Sequence, residues 1–486
     1  MKKIILILCL FLVTTLSIFT YIAFGKVNEC KSLSSSQVVQ QCLSYLDFVT
    51  KVLPNHEVST IIKTFSPFFP HANKILGFEK PFEILVLLQN QYELRANGGF
   101  FGSYAKISLT EGKPSLKFQD IYVPDGQIIG HVTPPAPIQS AFKQGWFRLR
   151  DSDWEPDFSL AAPTIRWFFE KGGETNPDLL VTINLQTIEE IIKIVGSIEV
   201  PEYHLKLDHE NLYSLLQNQA ELDFFPGSTQ KKDVITATGM ALSKAFANLN
   251  LSQYLAITKL LLSKTSSQQI LFHALDSSLQ NTLSQANWTG QINWTSCQPL
   301  NCLSDHFLLV QTNLGANKAN CCVTTTINHQ VQLANNLVEH KVQIDFDNQS
   351  PLENPDPPRF FGGNYISYLR LYLPENATLA TISASPTLPK TLVEFPHPFS
   401  NDFSQITQTK NYQSLEIGFF HLTKASTNSK VNLTYTLPLT TSEKYELEIK
   451  RQHGASDYQS TLELFGQNYN SLISSPHSLY LLDILR

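Results

Sequence analysis

The spacing of apolar residues changes character along the chain. An uncharged run from Ile4 to Gly25 stands between Lys2-Lys3 and Lys26. Its 22 residues would make about 33 Å of helix, enough to cross a bilayer core. Residues 33–53 then place Val38, Leu43, Leu46, Val49 and Leu53 at helical spacing, with serines 34–36 as caps and Pro54 as a stop. A looser helical stretch covers 57–77. From residue 81 the run FEILVLLQN reads as a strand buried on both faces. GGFFGSYAKISLTEG predicts a glycine turn, an alternating strand and a Glu111-Gly112 turn, and PSLKFQDIYV a third strand. Residues 126–158 show no period and read as a functional loop.

A helix follows over SLAAPTIRWFFEK, with Ser159 as its cap and Pro163 tolerated in the first turn. DLLVTINL predicts a strand, Thr187 to Glu190 a capping box, Gly196 a helix stop and SIEVP a short strand. Two further helical patterns occupy 229–265. After about residue 290 the helical period gives way to alternation in CLSDHFLLVQTNLG, NCCVTTTINHQVQL, VEHKVQIDFDN, NYISYLRLYLPEN and KVNLTYTLPL. The expected organisation is an anchor over 1–26, a helical stalk over 27–79, an α/β domain over 80–285 and an all-β sandwich over 290–486.

Composition narrows the function. Charged residues are 16% of the 486, and the formal charge is −6, so a basic field for nucleic acid is absent. The positive residues Lys2 and Lys3 on the N-terminal side of the apolar run predict that the remainder lies outside the cytoplasm. Ala23-Phe24-Gly25 offers small residues for signal-peptide cleavage, whereas the length of the run favours a retained single-pass membrane anchor. Six cysteines follow it, which in an oxidising compartment points to disulfides: Cys30 with Cys42, and the Cys297/Cys302 pair cross-linked to Cys321/Cys322. A four-thiolate zinc site is the alternative, poorly served by adjacent cysteines.

Candidate chemistry gathers in two stretches. Asn90–Gly102 follows the buried strand and carries Glu93 and Arg95 ahead of Gly98-Gly99, whose amides are suited to an anion nest. Arg148, Arg150, Asp151 and Asp153 lie in LRDSDWEPDF, where guanidiniums would meet an oxyanion and Asp151 with Asp153 a divalent cation such as Mg²⁺. Asp125 at the end of the third strand is a candidate general base, with Asp151 and Asp153 as further catalytic candidates. Glu93 with Asp151 or Asp153 could also form a glycosidase pair. Six histidines, His131, His204, His209, His306, His329 and His340, are scattered without ligand spacing.

NQYELRANGGFFGS, LRDSDWEPDFSLAA, DLLVTINLQTIEEIIKIVGSIEVP and LLVQTNLGANKAN resemble, in order and spacing, the domain of unknown function 4012 family, over roughly residues 80–450. The resemblance implies a bacterial membrane-anchored envelope protein. More distantly, 81–249 resembles the LytR-CpsA-Psr family, which transfers glycopolymers from polyprenyl-phosphate carriers to the cell wall. Arg95 stands where that family has its first arginine, and Val123-Pro124-Asp125 resembles its Pro-Arg-Asp without the arginine. The later arginine-rich segment is replaced by FFPGSTQKKD, with only Lys231 and Lys232. The expectation is therefore a LytR-CpsA-Psr-like α/β sandwich followed by a β-sandwich. It would bind or assemble an anionic cell-surface glycan or a polyprenyl-phosphate-linked carrier, with a glycopolymer phosphotransferase and a non-catalytic adhesion scaffold as alternatives.

Overall fold

The computed structural model describes residues 35–52, 56–216, 230–246, 248–297, 302–351, 362–385, 406–439, 444–473 and 476–483. The Ile4–Gly25 run, Cys30 and the FFPGST part of the lysine-bearing segment lie outside these residues. Among the described residues no helix is long and apolar enough to cross a membrane. The chain divides into two compact units. One takes Met1–Gln89, Phe101–Ile128 and Ala162–Gly290; the other takes Asn90–Phe100, Ile129–Ala161 and Gln291–Arg486. The chain thus passes twice from the α/β unit into the β-rich one before residue 290, both times within the stretches expected to carry chemistry.

The first unit is a mixed α/β structure. Its five-stranded sheet has the order β3-β2-β1-β4-β7, with β1 Phe82–Asn90, β2 Phe100–Thr110, β3 Lys113–Asp120, β4 Leu179–Asn184 and β7 Ile270–Ala274. A two-stranded ribbon adds β5 Ile198–Val200 and β6 Leu205–Leu207. β1 runs parallel to β4, which pairs antiparallel with β7. One face of the sheet presents Ile84, Val86, Ile107, Val181 and Phe272 to a core shared with the helices Ser36–Val52, Glu57–Phe65, Leu185–Val195 and Leu251–Ser266. The helices expected as a stalk are therefore part of this core. The other face meets the helix Phe158–Lys171, where Phe169 packs edge-on against Tyr104 with ring centroids 4.9 Å apart.

Local chemistry shifts several helix ends from their expected places. Asp157 Oδ1 accepts from Ser159 N at 2.9 Å, so Asp157 rather than Ser159 caps that helix. Pro163 falls beyond the first turn, inside the helix. Asn184 Oδ1 accepts from Thr187 N at 2.9 Å and from the Thr187 hydroxyl, so the cap lies three residues before the expected box. The third strand ends at Asp120, and Tyr122–Gln127 turns helical.

The second unit is built on two six-stranded sheets. One has the order β12-β15-β10-β9-β17-β18: β9 Val323–Ala334, β10 Leu337–Asn348, β12 Thr378–Ser385, β15 Thr427–Pro438, β17 Tyr458–Leu464 and β18 Gln467–Ile473. The other has the order β13-β14-β11-β8-β16-β19: β8 Cys302–Asn313, β11 Tyr365–Pro374, β13 Thr407–Asn411, β14 Ser414–Thr423, β16 Lys444–Lys450 and β19 His477–Asp483. A single apolar cluster draws on both sheets, including Phe307, Ile344, Leu371, Phe419, Leu433 and Leu447.

Every residue of β11 is buried, because its second face is covered as well. Ile366 and Tyr368 pack with Ile138 and Ala141, and Tyr372 packs with Ala96 and Ile292. Segments 90–100 and 129–161 thus form an added layer on the sheet containing β11. The long loop holds its own helix, Ala136–Phe142, and a short 3₁₀ turn, Leu149–Asp151.

The cysteines close locally. Cys297 pairs with Cys302 and Cys321 with Cys322, correcting the expected cross-link between the two pairs. Each pair is already within bonding reach along its own stretch of chain, with Cα separations of 5.7 and 3.8 Å. Cys42 is disulfide-bonded.

Candidate functional site

The segment after β1 folds back through two successive turns. Glu93 N donates to Asn90 O at 3.1 Å, Gly98 N to Arg95 O at 3.1 Å, and Phe100 N to Glu93 O at 2.9 Å. A Cβ on Gly99 would lie 2.4 Å from the Asn90 carbonyl, and one on Gly454 would lie 2.4 Å from the Cα of Gly98. Gly98 itself has φ 124°. The glycine pair thus serves close backbone packing, and the Gly98 amide is spent on Arg95.

These turns direct Glu93 and Arg95 inward, where they meet Asp151 and Asp153; all four are buried. Arg95 Nη2 lies 3.0 Å from Glu93 Oε1 and 3.7 Å from Asp151 Oδ1. Its Nη1 donates to the Asn313 carbonyl, and its guanidinium sits 5.6 Å from the Phe100 ring centroid and 5.8 Å from that of Phe142. Gln144 Nε2 donates to Asp151 Oδ2 at 3.0 Å. Among the described residues, none donates a hydrogen bond to either carboxyl oxygen of Asp153. Burial pushes its pKa up to about 8, opposed by the Arg95 charge and reinforced by Asp151 and Glu93.

The remaining expected participants are Arg148, Arg150 and Asp125. Arg148 is half-buried, with its guanidinium 5.2 Å from the Trp146 ring centroid. Arg150 is half-buried in the 3₁₀ turn. Asp125 belongs to the α/β unit, buried in the helix Tyr122–Gln127. Among the described residues no group of three or more His, Cys, Asp or Glu side chains is arranged to hold a metal ion.

Sequence reasoning missed the residues that fix this cluster to the sandwich, because they lie far away in the chain. Gln452 Nε2 donates to Arg95 O at 2.8 Å and to Gln311 O at 2.9 Å. Asn320 Oδ1 accepts from Leu94 N at 3.1 Å and from Asn313 Nδ2 at 2.9 Å, while Asn320 N donates to Tyr92 O at 3.1 Å. Arg370 on β11 donates to Trp154 O at 2.8 Å, its guanidinium 4.4 Å from the Trp154 ring centroid. Only the oddity of an arginine within an apolar strand signalled Arg370 in advance.

Two of the scattered histidines enter a second buried network. His340 Nε2 lies 3.0 Å from Asp305 Oδ2, and His340 Nδ1 lies 2.9 Å from His329 Nε2. The Tyr445 hydroxyl donates to Asp305. Burial pushes Asp305 upward, but His340 and Tyr445 outweigh it and hold the carboxyl below its usual range. Asp305 comes from one sheet and both histidines from the other, so the network ties the layers together.

The outer face of the sheet containing β9 and β10 carries a groove of about 480 Å³. Asn328, Gln330, Lys341, Gln343, Asn432 and Glu463 are among its lining residues. Gln343 Nε2 and Asn328 Nδ2 both donate to Asp345 Oδ2, at 2.8 and 3.1 Å, and Gln330 Nε2 donates to Glu463 Oε2 at 2.9 Å. Carboxylates on β10 and β17 thus hold the Asn328, Gln330 and Gln343 amides in fixed orientations, with donors and acceptors interspersed.

Residues 79–220 match the family described as "Protein of unknown function (DUF4012)". No curated protein matches the chain. Among solved structures, TagV of Bacillus subtilis is 15% identical at a TM-score of 0.23, covering 45% of this chain and 85% of that one. The transcriptional regulator yvhJ of Bacillus subtilis is 17% identical at 0.17, covering 35% and 78%. An M1 zinc metallopeptidase of Deinococcus radiodurans is 6% identical at 0.13, covering 31% of this chain and 39% of the enzyme, so the chain spans about two fifths of that protein's length. Likenesses at these TM-scores carry no argument about activity. The stretch 79–220 is thus what the chain shares with the DUF4012 family, within the range over which its motifs resemble that family.

Proposed function

We propose that this is a membrane-anchored, extracytoplasmic envelope protein that binds a cell-surface glycan without transferring it. The groove on the sandwich would be its binding face. The observation that carries the reading is the groove's lining: ordered amides and hydroxyls with one cation, Lys341, beside one anion, Glu463. Such a surface suits the hydroxyl and acetamido groups of a sugar chain, which need paired donors and acceptors rather than net charge. The cytoplasmic-side lysines before the Ile4–Gly25 run and the cysteine pairs support the exported placement. Handling a polyprenyl phosphate at the glycine-rich turn would require Arg95 to leave Glu93, Asp151 and the Asn313 carbonyl, each of which is desolvated with it.

The test is co-sedimentation of the detergent-solubilised full chain with peptidoglycan sacculi stripped of teichoic acid. Binding is expected, and it should persist in half-molar salt because the contacts are not ionic. Replacing Gln343 and Asn432 together by Ala should weaken it about tenfold or more, the worth of one or two hydrogen bonds. Failure of the parent to sediment, or loss of binding in salt, would overturn the proposal.

A further inference from the structure

We propose that the Cys321–Cys322 disulfide is a redox-reactive site whose reduction by a dithiol releases the segment carrying Glu93 and Arg95. Adjacent cysteines close an eight-membered ring that includes the peptide bond between them, so the bond constrains only the local backbone. That backbone ends the 3₁₀ turn Ala319–Cys321, in which Cys321 N donates to Lys318 O and Cys322 N to Ala319 O, both at 3.1 Å. Cys322 O in turn accepts from Gln349 N at 2.8 Å. Asn320 occupies the centre of this turn.

Asn320 connects the ring to the charge cluster. Through its backbone and side chain it contacts Tyr92, Leu94 and Asn313, as given above. Asn313 closes the circuit, since its amide donates to Leu94 O at 2.8 Å and its carbonyl accepts from Arg95. Residues 92–94 therefore take part of their anchorage from one covalently ringed turn. Both cysteines are half-buried rather than sealed in the core, so the proposal requires that a thiolate reach one of the two sulfurs.

The reaction is thiol–disulfide exchange. One thiolate of the dithiol attacks a protein sulfur, giving a mixed disulfide and a protein thiolate that takes up a proton. The second thiol of the reagent, losing its proton, then displaces the remaining protein thiolate. The protein gains two electrons and two protons, and the reagent leaves as its own disulfide. So small a ring removes little chain entropy from the unfolded state, so opening it should loosen the turn without unfolding the sandwich.

Hydrogen exchange of the full chain, with dithiothreitol as the dithiol, provides the test. A background with Cys30, Cys42, Cys297 and Cys302 replaced by Ser removes the other disulfides. Reduction there should speed exchange at Leu94 and Asn320 by about tenfold or more, as expected for local opening. Val342 and Ile344 in β10 should not change. Adding Cys321→Ser/Cys322→Ser should give the fast rates with or without dithiothreitol. If that variant fails to fold, iodoacetamide trapping of the reduced background supplies the open state instead. Resistance of the bond to dithiothreitol under native conditions would overturn the proposal. So would unchanged exchange after both thiols are alkylated, or equal acceleration in β10.

Discussion

Arg95 brings one positive charge to three buried carboxylates, and that imbalance decides what each can do. Removing the guanidinium would strand Glu93 and Asp151 in a dry environment. Arg95→Ala should therefore cost about 3–5 kcal/mol in urea unfolding, and Arg95→Lys should recover little, because a single ammonium cannot replace the fork that reaches both Glu93 and the Asn313 carbonyl. Asp153 gives the opposite expectation. Its folded pKa, about 8, lies above its unfolded value of 3.8, so the native state binds the extra proton between these values. Stability is therefore lost as pH rises through that window. Asp153→Asn keeps the shape and removes the titration, so it should unfold at higher urea than the parent at pH 8 and converge with it near pH 4. A parent no less stable than the variant at pH 8 would contradict a buried, poorly solvated carboxyl there. The charged residues were legible in the sequence as chemistry-bearing groups. Their partners were not, because Asn313, Asn320 and Gln452 reach them through pairings more than 200 residues apart, which no local pattern encodes.

Elements with strong periodicity were readable and their ends were not. The run FEILVLLQN predicts β1, and alternation after residue 302 predicts β8 to β11, because burial on one or both faces writes itself directly into residue order. The cap at Asn184 competed with an equally plausible box at Thr187, and side-chain geometry decided it. Asn184→Ala should lower stability by about 1 kcal/mol, measured by thermal unfolding, with Thr187→Ala costing less. The aperiodic stretch 126–158 failed to reveal its destination: its apolar residues pack on a sheet more than 150 residues later in sequence. Close approach of Gly454 to Gly98 makes that layer sensitive to a single methyl group. Gly454→Ala, also at φ 64°, should destabilise by about 1–3 kcal/mol through overpacking. An unchanged melting temperature would show that the layer can shift aside.

On the scale of the whole molecule, buried histidines should set the acid limit. Burial lowers His306 and His421 to about 4, from the ordinary histidine value of 6.5, and His329 to about 3. The unfolded chain binds protons that the folded one refuses, so stability should fall as pH drops from about 6.5 towards 4, by about 1.4 kcal/mol per pH unit for each such histidine. Urea titrations at pH 7, 5.5 and 4.5 would reveal this decline; a flat profile would contradict burial of neutral imidazoles. On the reading proposed above, the charged cluster braces the β-rich unit and the amides on the outer face of the sheet containing β9 and β10 meet the glycan. The most direct test is hydrogen exchange of the full chain with and without soluble peptidoglycan strands. Protection confined to β9, β10, β15 and β17 is the expected result, whereas protection centred on residues 90–100 and 144–153 would place the ligand at Arg95 and contradict the account.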